Sequence, residues 1–484
     1  MTIKDLEPKI VWKYFHEITQ VPRPSKKEGK IIKYIEEVAA KNKIEIKKDK
    51  AGNLLLFKPG TKGYEKLPTV ILQAHLDMVC EKNNDVVFDF DKDPIKTVID
   101  GEWLHAEGTT LGADNGIGVA AALAVITSKD IEHGPIECLF TVDEETGLTG
   151  AKAIKKGFMT GNILLNLDSE DEGEIFMGCA GGKGTVATFE YKAMPAPVSN
   201  QFFRITVTGL NGGHSGGDIH KGLGNANKIL ARFLYQLQEK YPFSLAEIQG
   251  GNLHNAIARE AYAIIGTASK NREPIRVMLN NFAADIENEL KRVDPNVKLI
   301  METTEKPKKC LPRTLKEKLI YSLLACPHGV IGMSHEIDGL VETSTNLASI
   351  KMVGSTKIVV GTSQRSSTES AKNAIADQVA SVFRLAGAKV EHGEGYPGWA
   401  PNPDSKILKV AQKSYKKLFK KDAKIMAIHA GLECGLFLEK YPQLDMISFG
   451  PTLRSVHSPD ERIEIKTVDL WWKHLLDILK SIPV

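Results

Sequence analysis

Five separate segments of this 484-residue chain carry histidine or acidic side chains where they could act together. His75-Leu76-Asp77 closes the apolar run LPTVILQAH, and Asp114-Asn115-Gly116 sits in a glycine-flanked loop directly before GIGVAAALAVIT. Asp143-Glu144-Glu145 follows IECLFTV, Asp168 ends ILLNL, and His457 lies in TLRSVHS, just after LDMISFG. Imidazole nitrogens and carboxylate oxygens are the donors that zinc and similar divalent ions take when no thiolate is supplied. Two histidines with several acids suit a two-ion site, in which ions about 3.5–4 Å apart share a bridging carboxylate. An extra acid beside a ligand can act as general base, and Glu144-Glu145 offers such a pair. Each piece alone has a plainer reading: His-x-Asp is mostly structural, Asp114 suits a helix N-cap, and Glu144-Glu145 suits a solvated turn. Together, each at a strand end, they are hard to explain as caps and surface charges.

The elements that must position these groups alternate. Residues 27–42 have helical periodicity, 53–58 read as a short strand, and 67–75 as a buried parallel strand apolar on both faces. Residues 116–127 form a helix apolar almost all round, with short strands at 135–142 and 162–167. Strands alternating with helices imply an α/β sheet, whose ligands bind at the carboxyl ends of the strands. From about residue 200 the texture changes. FFRITVT (202–208) and the stretches 347–353 and 356–361 alternate as half-exposed strands do, with helices at 225–239 and 370–385. The α/β texture returns at 407–419 and 444–449. The expected organisation is an α/β domain in two parts, 1–198 and 396–484, which carries the candidate metal ligands and is interrupted by an α+β insert at 199–395.

Hydrophobic residues make up 42% and charged residues 25%, the balance of a globular protein. The net charge of +3 arises from 63 basic and 60 acidic side chains. The lysine-rich stretches 41–50 and 416–424 are interrupted by acidic or apolar residues, so no nucleic-acid partner is expected. No run of about 18 apolar residues appears, so no membrane span is expected. The first residues carry no apolar signal core, and the six cysteines are scattered without a C-x-x-C pair. Both features point to a cytoplasmic protein with reduced thiols. MGCAGGKGT (177–185) fails the phosphate-loop pattern twice, and His335-Glu336 lacks the second histidine of H-E-x-x-H.

The ordered set H-x-D, Asp before a helix, E-E, Asp and a C-terminal His resembles the co-catalytic di-zinc peptidase family of glutamate carboxypeptidases, aminoacylases and carnosine-cleaving dipeptidases. The stretches AHLDMV (74–79), GTTLGADNGIG (108–118), DEETGLTGA (143–151), GLNGGHSGGDI (209–219) and GPTLRSVHSPDER (450–462) resemble its aminoacyl-histidine (Xaa-His) dipeptidases. The resemblance implies a fold of α/β catalytic domain and α+β lid, and two Zn2+, for which Co2+ or Mn2+ can substitute. It implies His75, Asp114 and Asp168 on one ion and Asp114, Glu145 and His457 on the other, with Asp114 bridging. Glu144 would be the general base on the bridging water, and Asp77 would orient His75. In the lid, His214 would bind the developing oxyanion. Arg365, Gly431 and Asn255 would contact the substrate, Arg365 through its carboxylate. The implied substrate is a small dipeptide of the Xaa-His type, hydrolysed by a monomer or a homodimer.

Three alternatives stand beside this reading. Gly213-His214-Ser215-Gly216-Gly217 fits G-x-S-x-G, which would make Ser215 the nucleophile of a serine hydrolase. Against it, the preceding strand is amphipathic, and five ligand segments would go unexplained. A non-catalytic relative would have lost the base or a ligand, whereas all are present. The same fold could also act on N-acyl amino acids or other short peptides.

Overall fold

The computed structural model describes residues 2–83 and 85–483, and the chain separates into two compact units. The first comprises Met1–Cys179, Trp399–Ala427 and Leu432–Val484. Its centre is an eight-stranded sheet in the order Glu45–Lys48, Leu54–Lys58, Ile136–Thr141, Val70–His75, Ile163–Asn166, Asp445–Ser448, Glu174–Cys179, Lys424–Ile428. The four strands from Ile136–Thr141 to Asp445–Ser448 are parallel, as the apolar run before His75 predicts. The pairings of Glu45–Lys48 with Leu54–Lys58, of Leu54–Lys58 with Ile136–Thr141 and of Asp445–Ser448 with Glu174–Cys179 are antiparallel. Every residue of Val70–His75 and of Ile136–Thr141 is buried, which is why neither strand alternates. Parallel strands end on the same side, so His75, Asp143, Asp168 and the chain after Ser448 all leave the sheet at one edge.

A smaller sheet brings in the remaining ligand segments. Its order is Leu453–Arg454, Arg462–Glu464, Trp103–Ala106, Thr97–Asp100. His457 therefore lies in the loop of a hairpin whose second strand pairs with Trp103–Ala106, shortly before Asp114. The helix Ala113–Thr127 is buried along almost its whole length. Asp114 and Asn115 at its start are not helical (φ −80°, ψ 111° at Asp114), and the peptide bond between them is cis. The N-cap position is Gly112, so Asp114 does not serve as the cap.

The second unit comprises Ala180–Gly398 and Ile428–Gly431. It holds a nine-stranded antiparallel sheet that includes Asn200–Thr208, Ala261–Ala268, Ser244–Gly250, Val341–Val353, Lys357–Ser366 and Gly181–Glu190. The helices Ala226–Lys240, Arg272–Leu290, Arg313–Ala325 and Glu369–Leu385 contribute Phe233, Phe282, Leu319 and Phe383 to one core with Phe203 and Ile205 of the sheet. This is the α+β arrangement that one-sided alternation predicts. Two strands run longer than the alternating stretches, because Thr343–Asn346 and Thr362–Ser366 are buried polar residues that hydropathy does not mark. Among the described residues, no helix is long and apolar enough to cross a membrane.

Candidate metal centre

In the first unit the strand ends converge. His75 Nε2 lies 3.0 Å from Asp114 Oδ1 and 3.4 Å from Asp168 Oδ1. His457 Nε2 lies 3.1 Å from Asp114 Oδ2 and 3.0 Å from Glu145 Oε2. Asp114 thus offers one oxygen to each histidine, and each pair has a second carboxylate beside it. Ligand atoms of His75, Asp114 and Glu145 all lie within 4.8 Å of one another. Left-handed backbone at Asp143 (φ 51°) and His457 (φ 62°), uncommon for non-glycine residues, turns the chain at two of these segments.

The donors behind this group hold it in place. Asp77, wholly buried, has Oδ1 3.3 Å from His75 Nδ1. Asp77 also accepts the amides of Glu144 (3.0 Å) and Glu145 (3.2 Å) and the Ser25 hydroxyl (2.8 Å). Against the opposing effect of burial, the neighbouring His75 ring, and after it the Glu144 amide and Ser25 hydroxyl, favour its ionised form and hold its carboxyl down at about 2. Asn115 Nδ2 donates to Asp168 Oδ1. Glu433, wholly buried, accepts from Gln73 (2.6 Å) and Thr141 (2.7 Å), and burial pushes its carboxyl up to about 8.

The donor set fits divalent cations. Burial, with the neighbouring carboxylates, pushes Asp168 up to about 7 and Glu144 well above the usual carboxylate range. A bound cation reverses that penalty for such crowded acids. Glu145 Oε1 is buried and has no hydrogen-bond partner among the described residues, an oxygen left for a ligand. A second acidic group, Glu28, Asp77 and Asp143, is also close-packed and buried. Its oxygens already accept protein donors. Glu28 takes the Asp143 amide (2.9 Å), and Asp143 takes the hydroxyls of Thr146 and Thr149. That cluster braces the turn before Glu144.

The lid candidates lie in the second unit, and most of them meet there. His214 Nδ1 accepts the amides of Gly216 (3.3 Å) and Gly217 (3.0 Å), which leaves the ring proton on Nε2. Arg365 Nη2 is 3.4 Å from that Nε2, and Arg365 Nη1 donates to the Tyr396 hydroxyl at 2.9 Å. Gly431 packs against the Tyr396 ring so closely that a Cβ there would lie 2.7 Å from it. Asn255 is exposed, and its carbonyl accepts the Ser215 amide at 2.8 Å. Ser215 Oγ is buried with no hydrogen-bond partner among the described residues. A serine nucleophile needs a base within hydrogen-bond reach, which Ser215 lacks.

Sequence reading missed Asn115, Ser25, Glu433 and Tyr396, together with Arg23 and Glu461. Glu461 had a signal, since it lies in the quoted stretch GPTLRSVHSPDER; Tyr396 had none.

Residues 71–481 match the family described as peptidase family M20/M25/M40, and the chain belongs to it. It is 42% identical over 481 residues to the cytosol non-specific dipeptidase of Escherichia coli (strain K12), covering 99% of each chain. The crystal structure of aminoacylhistidine dipeptidase from Vibrio alginolyticus aligns with a TM-score of 0.92 at 43% identity, covering 100% of this chain and 98% of that one. A tripeptidase from Staphylococcus aureus shares the fold, with a TM-score of 0.57 at 18% identity over 99% of both chains. The family expected from the ordered motifs is therefore the one found.

Proposed function

We propose that this chain is a cytoplasmic metal-dependent dipeptidase that hydrolyses unblocked dipeptides, with a preference for a C-terminal histidine, as a monomer or a homodimer. The observation that carries the metal reading is the division of Asp114 between His75 and His457. His75, Asp114 and Asp168 would hold one ion, and Asp114, Glu145 and His457 the other. Zinc is the proposed metal, with cobalt or manganese able to substitute. Two bound ions would polarise the scissile carbonyl and lower the pKa of the attacking water.

The chain's own groups do the rest. Glu144 takes a proton from the water as its oxygen attacks the carbonyl carbon, then delivers it to the amine as the carbon–nitrogen bond breaks. Asp77 keeps the His75 ring in one orientation and tautomer. His214, with its proton on Nε2, donates to the oxygen that gains charge in the transition state. The Arg365 guanidinium suits a bidentate bond to the substrate's terminal carboxylate. Gly431 and Asn255 are the proposed neighbours of that substrate. The names of the two full-length relatives support dipeptides as the substrate class, and one of them supports histidine at the C-terminal position.

The test is a substrate panel of β-alanyl-histidine, glycyl-leucine and N-acetyl-histidine, assayed before and after chelation and after zinc is restored. The expected result is cleavage of the two dipeptides, fastest for the histidine one, lost with chelator and recovered with zinc. Cleavage of N-acetyl-histidine alone would move the activity to acylated amino acids.

A further inference from the structure

Glu461 stands four residues after His457, in the same hairpin loop, with 2% of its surface exposed. Its carboxylate accepts four consecutive backbone amides from the other side of the site. Oε2 takes Leu111 (2.8 Å) and Gly112 (2.9 Å), and Oε1 takes Ala113 (2.8 Å) and Asp114 (3.2 Å). An ionised carboxylate has about four acceptor positions, so all of them are used. The last amide belongs to the residue whose side chain faces both histidines.

The carbonyl side of the same turn is fixed independently. Buried Arg23 donates to the carbonyls of Leu76 (3.0 Å), Asp77 (2.8 Å) and Gly112. Gly112 is left-handed (φ 69°), and a Cβ there would lie 2.5 Å from Arg23 Nη2 and 2.8 Å from Met78 Sδ. The turn before Asp114 is thus held by a guanidinium on one carbonyl, that of Gly112, and a carboxylate on its amides. Arg23 ties it to the His75–Asp77 segment, and Glu461 ties it to the His457 loop.

These two ties are not equivalent for the ligands. His75 and Asp168 sit at the ends of strands of the central sheet. His457 sits in a loop between two strands of two and three residues. Beside the His457 Nε2–Asp114 Oδ2 contact, the carboxylate of Glu461 joins that loop to the backbone of the Asp114 turn. On the two-ion reading proposed above, we infer that Glu461 is a positioning residue that sets the separation of Asp114 and His457. It thereby governs the affinity of the ion shared by Asp114, Glu145 and His457 more than that of the ion on His75 and Asp168. Glutamine at this position would turn an NH2 group toward two amide donors, and aspartate would fall short of some of the four.

The experiment is zinc titration of the chelated full-length chain by calorimetry, for wild type, Glu461→Gln and Glu461→Asp. Melting of each metal-free chain and visible spectra with cobalt accompany it. Wild type is expected to bind two ions. In Glu461→Gln one ion should keep its affinity and the other should weaken roughly 10–100-fold, the range for loss of a group that orients ligands. The spectrum of the weakened cobalt ion should change, Glu461→Asp should fall between the two, and each metal-free chain should keep a cooperative melting transition. Two ions bound by folded Glu461→Gln with wild-type affinity would overturn the inference. So would equal weakening of both ions together with loss of the metal-free melting transition, which would mean a purely structural role. A wild-type chain that binds no second ion would overturn the two-ion reading itself.

Discussion

The Asp77 carboxylate lies 3.3 Å from the His75 imidazole, Oδ1 to Nδ1, while the opposite ring nitrogen faces Asp114 and Asp168. On the proposed two-ion reading, Asp77 thereby leaves the opposite nitrogen of His75 to the ion. Its remaining bonds, to the amides of Glu144 and Glu145, place the turn that carries two further site groups. Asp77→Ala should weaken zinc binding and lower kcat/KM by roughly 10–100-fold each. Zinc competition against a chromogenic chelator, read beside kinetics at saturating zinc, checks this. Wild-type affinity in the variant would remove Asp77 from the account.

His214 holds its ring by accepting two glycine amides, so its donor points away from its own loop. His214→Ala should lower kcat by about 100–1,000-fold, the range for loss of an oxyanion donor. Zinc stoichiometry and KM should change little. A variant whose loss lies wholly in KM would make His214 a binding group instead.

Arg365 is almost wholly buried, held by Tyr396, and its Nε has no hydrogen-bond partner among the described residues. Arg365→Ala should cost about 1.5–3 kcal/mol of carboxylate recognition, or roughly 10–100-fold in kcat/KM, mostly through KM. Dipeptide amides, which lack the carboxylate, should be cleaved equally poorly by variant and wild type. If the variant discriminates against the amides as strongly as wild type does, the carboxylate is bound elsewhere.

Two buried histidines bear on acid stability. His474 lies under the rings of Tyr415 and Phe449, and its Nε2 donates to the Ala411 carbonyl at 2.9 Å. Burial lowers its pKa to about 4, and burial with the nearby Arg365 charge lowers that of His429 to about 3. The unfolded chain protonates both near pH 6.5, before the folded chain can. Their stability contribution is therefore present above pH about 6.5 and is lost as pH falls toward the folded values. Between pH 7 and 5 each should remove about 2 kcal/mol. Thermal melts across that range should show the decline, and His474→Gln should flatten part of it. A melting temperature that does not change with pH would contradict the neutral, buried assignment.

His75, Glu145 and Asp168 were legible as candidate ligands because they close or follow apolar parallel strands, which end on one side of a sheet. Asp114 was marked instead by the buried helix it precedes, and His457 by the strand-like LDMISFG before it. His214 and Arg365 were legible through short motifs, and the structure brings both to one corner of the second unit. The groups that hold ligands in place were not legible. Arg23 and Glu461 act through backbone carbonyls and amides, which leave no trace in residue type, and Glu461 lies 347 residues from Asp114. The stretch 177–185, read only as a failed phosphate loop, belongs to two strands, Glu174–Cys179 and Gly181–Glu190. Its glycines erase the alternation that would have marked them. Tyr396 was hidden for a related reason, since its ring is accommodated by glycines at 182 and 431 that carry no hydropathy signal.

The most direct measurement is hydrolysis of β-alanyl-histidine by Glu144→Ala and Ser215→Ala beside wild type, with bound zinc counted in each. The account predicts two zinc ions in all three proteins, activity in wild type and Ser215→Ala, and none detectable in Glu144→Ala. Full activity in zinc-loaded Glu144→Ala, or loss of activity in folded Ser215→Ala alone, would contradict it.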